Sequence, residues 1–336
     1  MYFSIGEFIE KYIVMILNRF VGGPILDPRL NKIYLVNNYE YSTCNFMCKY
    51  CFLGRISKDT CPYNGYRAKR IVQQVDEYIS KYGMRSVKGI IISPIGEPTL
   101  DPELPNIIKY LKMYGLPVGV YTNSSRIFNN RVYNLLKNLD IVVFKLDTLR
   151  KDVFDELNRP IDSINPYDIY KKLVEFRRDY RGKMYLDIML VNGYNDDTED
   201  LDEYIEAVRT INPNKIFITI PYYPNGYGVK PASIEKITYL YSKLVKFMPN
   251  RVEIIDYKND HHVNRKVEDP VEEFIYLSTI NPMTLEDAYR FFSRFDLDPK
   301  STLEELIELG DVDIVEWLDK KYVISHILTM KIGIKK

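Results

Sequence analysis

The sequence predicts an α/β protein built on a largely parallel sheet, and two patterns carry that reading. Six segments rich in Ile, Val, Tyr or Leu (residues 32–37, 88–93, 117–122, 140–146, 184–191 and 215–220) alternate with six helical stretches (69–81, 103–113, 130–138, 167–178, 198–210 and 233–247). Several of the strand segments run apolar without alternation, as strands buried on both faces do. Gly83 and Gly115 stand where helix C-caps are needed. Repeated β–α units joined by right-handed crossovers make either a doubly wound sheet or a barrel, and the pattern leaves both open.

The 336 residues are 46% hydrophobic and 27% charged, which suits one large globular domain plus a smaller one. The formal net charge is zero, so the chain has no general electrostatic grip on nucleic acid. Residues 1–21 are expected to form an amphipathic helix, with Ile5, Phe8, Ile9, Tyr12, Ile13, Ile16 and Phe20 on one face. Glu7, Glu10 and Lys11 interrupt its apolar run, which stays far short of the roughly 20 residues needed to span a bilayer. The expectation is a cytoplasmic protein with reduced thiols and no transmembrane segment.

The stretch "VGGPILDPRL" reads as a Gly/Pro-rich connection into the main domain, placed at residues 22–257. A second, small domain is expected over 268–330: three helices, then two short strands, the outline of a winged helix. Thr284 and Ser301 are its candidate N-caps, Gly310 would end its third helix and Asp319-Lys320-Lys321 would turn its hairpin. From Glu268 to Asp319 it carries fifteen acidic residues against three basic ones, a surface that repels phosphates. Docking onto the main domain or a protein partner suits it better than nucleic acid.

Three of the chain's four cysteines, Cys44, Cys48 and Cys51, fall within eight positions of "YSTCNFMCKYCFLG". Thiolates at this spacing suit an iron–sulfur cluster or zinc. Zinc prefers a fourth ligand, which Cys61 would supply. An iron–sulfur cube held by three thiolates leaves one iron open for a small molecule, and so implies chemistry.

The segment "CNFMCKYC", with Tyr50 at its aromatic position, resembles the cluster motif of radical S-adenosylmethionine (SAM) enzymes. The resemblance implies a partial (β/α)6 TIM-like barrel, with the cluster in the loop after its first strand. "SPIGEPTLDP" resembles the family's Gly-Gly-Glu-Pro segment, which contacts the methionyl amino group; Gly96, Glu97 and Pro98 match, and Ile95 replaces the first Gly. Gly96 lets backbone approach closely, and Glu97 can accept from an ammonium group. "YTNSS" and "FKLDT" end the third and fourth strands, and the resemblance assigns Asn123, Lys145 and Asp147 to SAM carboxylate and ribose, with Lys145 open to substrate instead. Asn192, in "MLVNGYND", would lie near adenine.

"GGPILDPRL", "GEPTLDP", "LDT", "LNRP" and "VNGYND" together resemble one subgroup, iron–sulfur oxidoreductases related to the wyosine-forming tRNA enzyme. The implied cofactors are one [4Fe–4S] cluster and SAM, because the remaining cysteine cannot ligate a second cluster. The implied reaction is reductive cleavage of SAM to a 5′-deoxyadenosyl radical, which takes hydrogen from an unidentified substrate. A one-electron donor such as ferredoxin or flavodoxin is the implied partner.

Wyosine-type tRNA modification is one alternative, but its basic surface would rest on residues 66–70 and 177–183 alone. A zinc-stapled binding protein and a scaffold that binds SAM without cleaving it are the others. The aromatic loop 221–231 is either a substrate wall or a rigid connection. No residue is singled out as catalytic.

Overall fold

The structure is a computed structural model that describes residues 19–39, 42–54, 66–85, 87–93, 95–255 and 267–333. Most of the expected N-terminal helix lies outside the described residues, as does Cys61. The main sheet has eight strands in sequential order: β1 (Val21–Asp27), β2 (Asn31–Val36), β3 (Ile90–Ile92), β4 (Val118–Thr122), β5 (Ile141–Lys145), β6 (Lys183–Met189), β7 (Lys215–Thr219) and β8 (Val252–Ile254). From β2 onward every neighbour pairs in parallel. A doubly wound sheet reverses its strand order partway. This one does not, so it curls into a partial barrel.

Seven strands are parallel where six were expected, because β8 is only three residues long. β1 is a further correction. The segment expected to be a connection pairs antiparallel with β2, with a register shift between Gly22 and Ile25. Its Pro24 is tolerated because β1 is an edge strand. Asp27 Oδ1 then closes the turn, accepting from the backbone N–H of Arg29 (2.8 Å) and Leu30 (2.9 Å).

Both faces of the sheet are apolar, which is why the strands do not alternate. Ile90, Val118, Val120, Val142, Phe144, Leu186 and Ile218 face the helices. Ile33, Ile91, Val143, Tyr185 and Phe217 fill the barrel interior. The covering helices are α1 (Tyr66–Tyr82), α2 (Leu104–Leu111), α3 (Asn130–Lys137), α4 (Lys151–Leu157), α5 (Pro166–Asp179), α6 (Thr198–Ile211) and α7 (Ile234–Phe247). The Asn129, Asn165 and Ser233 side chains cap α3, α5 and α7. The unexpected α4 is seven residues long, too short for a clear helical period.

The C-terminal unit runs α8 (Pro270–Ile280), β9 (Met283–Thr284), α9 (Leu285–Phe292), α10 (Pro299–Glu308), β10 (Val312–Trp317), β11 (Lys320–Ser325) and α11 (His326–Ile332). Its sheet is ordered β10-β11-β9. Thr284 caps α9 as expected, but Asp298 rather than Ser301 caps α10. The β10–β11 turn is made by Leu318 and Asp319, both at positive φ. Among the described residues no helix is long and apolar enough to cross a membrane.

One buried ion pair ties α1 to the loop after β3. Arg67 Nη2 lies 2.7 Å from Asp101 Oδ1 and 3.4 Å from Glu103 Oε1, with all three side chains almost fully enclosed. Glu103 also accepts from the Ala68 N–H at 3.1 Å, and Asp101 from Asn38 Nδ2 at 2.9 Å. Removing the cation strands two buried carboxylates, so Arg67→Ala should cost about 3–5 kcal/mol in urea unfolding. A loss of about 1 kcal/mol or less, as for an exposed pair, would contradict this.

Candidate active site at the open end of the barrel

The three cysteines lie on the loop between β2 and α1, at the C-terminal ends of the parallel strands. Neighbouring loops hold this loop through backbone bonds. Thr43 N–H donates to Ile95 O (3.2 Å), and Glu97 N–H donates to Thr43 O (2.8 Å). On its other side Met47 N–H donates to Arg159 O (3.1 Å), Lys49 N–H to Leu157 O (2.8 Å) and Ile161 N–H to Asn45 O (2.9 Å). A Cβ on Gly96 would sit 1.7 Å from the Thr43 carbonyl oxygen, so no other residue fits there without movement.

The sulfurs are half-buried and close enough to feel one another's charge. Burial pushes all three thiols up, Cys48 to about 12. Desolvated thiols with this mutual repulsion match a cationic metal centre, which favours their thiolate form. Each sulfur also meets N–H donors: Phe46 N–H (3.4 Å) and Asn123 for Cys44, Asn158 for Cys48, and the Leu53 and Gly54 backbone for Cys51. The donor set therefore fits an iron–sulfur cluster. Among the described residues no three His, Cys, Asp or Glu side chains are spaced to hold a lone metal ion.

Below the loop is a cavity of about 370 Å³, lined by Cys48, Cys51, Glu97, Asn123, Lys145 and Asp187 among others. A larger, more open hollow of about 860 Å³ lies at the opposite end of the sheet, and no cysteine lines it. Chemistry rather than volume identifies the site.

Glu97 is fully buried. Its Oε1 accepts from Thr99 N–H (3.0 Å), Thr99 Oγ1 (2.5 Å) and Thr122 Oγ1 (2.8 Å), and its Oε2 from Asn123 N–H (2.6 Å). Burial raises its pKa against these donors. Pro98 opens the short turn Pro98–Leu100 rather than lining the cavity. The Tyr50 ring lines the cavity, and its hydroxyl donates to Asp147 Oδ2 at 2.5 Å.

Asp147 sits behind the wall, where it also accepts from Asn158 Nδ2 (2.6 Å) and Met189 N–H (2.8 Å). Lys145 reaches both Asp147 (3.2 Å) and Asp187 (2.9 Å). Burial alone would lower its pKa, but the two carboxylates outweigh burial and lift it.

Asn192 is corrected. Its side chain is exposed on the rim and outside the cavity. Asn195, three positions on, is the buried residue of that turn, donating to Asp147 O (2.7 Å) and Met189 O (2.9 Å). Sequence reasoning also missed Arg29, Asn158 and Asp187. Arg29 rises from the β1–β2 turn, lies 4.3 Å over the Tyr121 ring and pairs with Asp187 at 2.8 Å. A lone Asp inside the apolar run "MYLDIMLV" was the available signal, since buried carboxylates need partners.

The roof over the cavity comes from two places. Tyr222 and Tyr223 belong to loop 221–231, and Tyr276, Leu277, Ile280 and Asn281 to α8 and its end. Trp317 Nε1 donates to Pro221 O (3.3 Å), and Lys331 Nζ to Ser42 Oγ (3.1 Å), so the C-terminal unit packs on the aromatic loop and the cysteine loop together.

A partial parallel barrel with a thiol-lined cavity at its C-terminal rim defines a cofactor-dependent enzyme class. Residues 41–205 match the family model of the Radical SAM superfamily. A UPF0026 protein of Methanocaldococcus jannaschii is 25% identical over 310 residues, covering 91% of this chain and 95% of that protein. An S-adenosylmethionine-dependent nucleotide dehydratase of Flammeovirga pacifica is 23% identical over 207 residues, 61% of this chain and 67% of that protein. The structure of SuiB from Streptococcus suis bound to its precursor peptide SuiA has a TM-score of 0.52 at 14% identity, covering 68% of this chain and 50% of that one. This chain thus spans half the length of SuiB, and the likeness concerns the fold. Residues 41–205 thus make up a radical SAM domain, and the chain is an enzyme of the class whose cofactors are a [4Fe–4S] cluster and SAM.

The Asp187 environment sets a pH dependence. Burial pushes this carboxyl up, but Lys145 and Arg29 outweigh it and hold the pKa at about 2 against an ordinary 3.8. A depressed carboxylate contributes stability above its unfolded pKa and loses it as pH falls through the folded one. The stability gap between wild type and Asp187→Asn should therefore narrow by about 1–2 kcal/mol between pH 5 and pH 2. A constant gap in urea unfolding would contradict it.

Proposed function

We propose that Cys44, Cys48 and Cys51 hold one [4Fe–4S] cluster, and that SAM and a small-molecule substrate share the cavity beneath it. The observation that carries this reading is the backbone stapling of the cysteine loop to the Gly-Glu-Pro loop, directly over a cavity lined by Lys145 and Asp187. When bound, the two cofactors supply a one-electron cleavage that gives a 5′-deoxyadenosyl radical able to take hydrogen from a substrate.

The chain's own residues bind, orient and exclude water. Gly96 admits the cofactor backbone-close, Glu97 accepts from its ammonium group, and Lys145 donates to carboxylate or ribose oxygens, while Asn123, whose amide protons face Cys44 and Asn45, lines the cavity beside them. The Tyr50 ring forms the adenine wall, held by Asp147 and Asn158 through its hydroxyl. Asn192 drops out of the assignment. Lys145 keeps its proton and Asp187 its charge at neutral pH, so this network orients by charge rather than moving protons.

Residues 22–257 make up the proposed core and 268–330 an accessory domain that roofs the cavity, with Tyr222 and Tyr223 shielding it from water. At about 370 Å³ the cavity is at the small end of the roughly 300–1,000 Å³ range for ligand sites. That size, the packed roof and the acidic accessory domain favour a small molecule over wyosine-type tRNA modification. The electron comes from a one-electron donor of the ferredoxin or flavodoxin kind.

Anaerobically reconstituted protein, reduced with dithionite and given SAM, should release 5′-deoxyadenosine. It should hold one cluster's iron per chain and lose that iron in Cys48→Ala. Zinc in place of iron, iron for two clusters, or an iron-loaded Cys48→Ala protein would each overturn the assignment.

A further inference from the structure

Two asparagines approach the sulfurs from outside the cysteine loop. Asn123 Nδ2 lies 3.6 Å from Cys44 Sγ, and Asn158 Nδ2 lies 3.7 Å from Cys48 Sγ. Both carboxamides are locked in orientation. Asn158 is 3% exposed, with Nδ2 at 2.6 Å from Asp147 Oδ2 and 3.1 Å from the Tyr50 hydroxyl. Flipping it would drive an amide oxygen against a carboxylate. Asn123 Oδ1 accepts from Ser125 N–H at 2.9 Å while its Nδ2 also meets Asn45 Oδ1 at 3.0 Å, so a flip breaks both bonds.

Counting protons singles out Asn158 further. Tyr50 has one hydroxyl proton, and it goes to Asp147. Tyr50 also neighbours Cys48, but with its proton on Asp147 the side-chain N–H left for the sulfur is the second amide proton of Asn158, shared with the Tyr50 oxygen. Cys51, by contrast, meets only backbone donors of its own loop among the described residues, Leu53 and Gly54.

We infer that Asn158 and Asn123 tune the reduction potential of the cluster, each donating an N–H to a ligating sulfur and so favouring the reduced state. The inference rests on the assignment of Cys44 and Cys48 as ligands. Reduction adds an electron to a centre already made negative by its thiolates, and an N–H dipole aimed at sulfur stabilises the more negative form more strongly. Burial sharpens the effect, because little water screens the dipole. Both asparagines act through the cysteines, so they are positioning residues rather than catalytic ones.

The test is an EPR-monitored redox titration of the reconstituted full chain without SAM. Asn158→Ala and Asn123→Ala should each make reduction about tenfold less favourable, a drop of about 59 mV for a one-electron couple. Asn195→Ala disturbs the same rim without touching a sulfur and should leave the potential in place. Unchanged potentials in iron-loaded asparagine variants, or an equal drop in Asn195→Ala, would overturn the inference.

If the alanine variants do not hold a cluster, wild type labelled with carboxamide-15N asparagine serves instead. A nitrogen coupling to the reduced cluster in pulsed EPR supports the inference, and its absence overturns it. Failure of the ligand assignment looks different: Cys48→Ala would then keep the wild-type cluster signal.

Discussion

Backbone packed against backbone at Thr43 and Gly96 is the constraint on which the rest of the site depends. The two residues form a parallel bridge that continues the β2–β3 pairing beyond the ends of both strands. It fixes Cys44, the next residue, beside the loop that carries Glu97, close enough for the carboxyl to help raise the Cys44 thiol. A side chain at position 96 would force the loops apart, since its Cβ would overlap the Thr43 carbonyl. The cysteine loop therefore takes its geometry from the sheet.

Three buried carboxylates surround the cavity, and each is compensated differently. Glu97 is held by hydroxyls and N–H groups, Asp147 by Tyr50, Asn158 and Lys145, and Asp187 by two cations and Thr219. The outcome differs accordingly: burial raises Glu97, while Lys145 and Arg29 keep Asp187 ionised. A wall richer in carboxylates than in cations suits a ligand that carries both a sulfonium and an ammonium charge. Lys145 and Arg29 are the cations of that wall, Lys145 paired with Asp147 and Asp187 and Arg29 with Asp187.

The parallel strands were legible because burial on both faces writes itself as unbroken apolar runs. β1 was not, because Gly22, Gly23 and Pro24 are the residues that ordinarily punctuate a turn, and only the pairing with β2 makes them a strand. The cysteine spacing and the Gly-Glu-Pro segment were legible because both are short-range. The network from Arg29 through Asp187 to Lys145 spans three distant segments, and its pairing exists only once the barrel closes. Asn192 and Asn195 show the limit at finest scale: within one turn, a pattern cannot say which asparagine faces inward. The roof was only half legible, since the aromatic loop drew notice while the part of α8 beside it did not.

The central claim is that SAM binds at an open iron of a cluster held by the three cysteines. The most direct measurement is the EPR spectrum of the dithionite-reduced protein with and without SAM. SAM should shift the cluster's g-values, and replacing Glu97 by Gln should weaken that shift at limiting SAM. A reduced cluster whose spectrum is identical with and without saturating SAM would contradict the account.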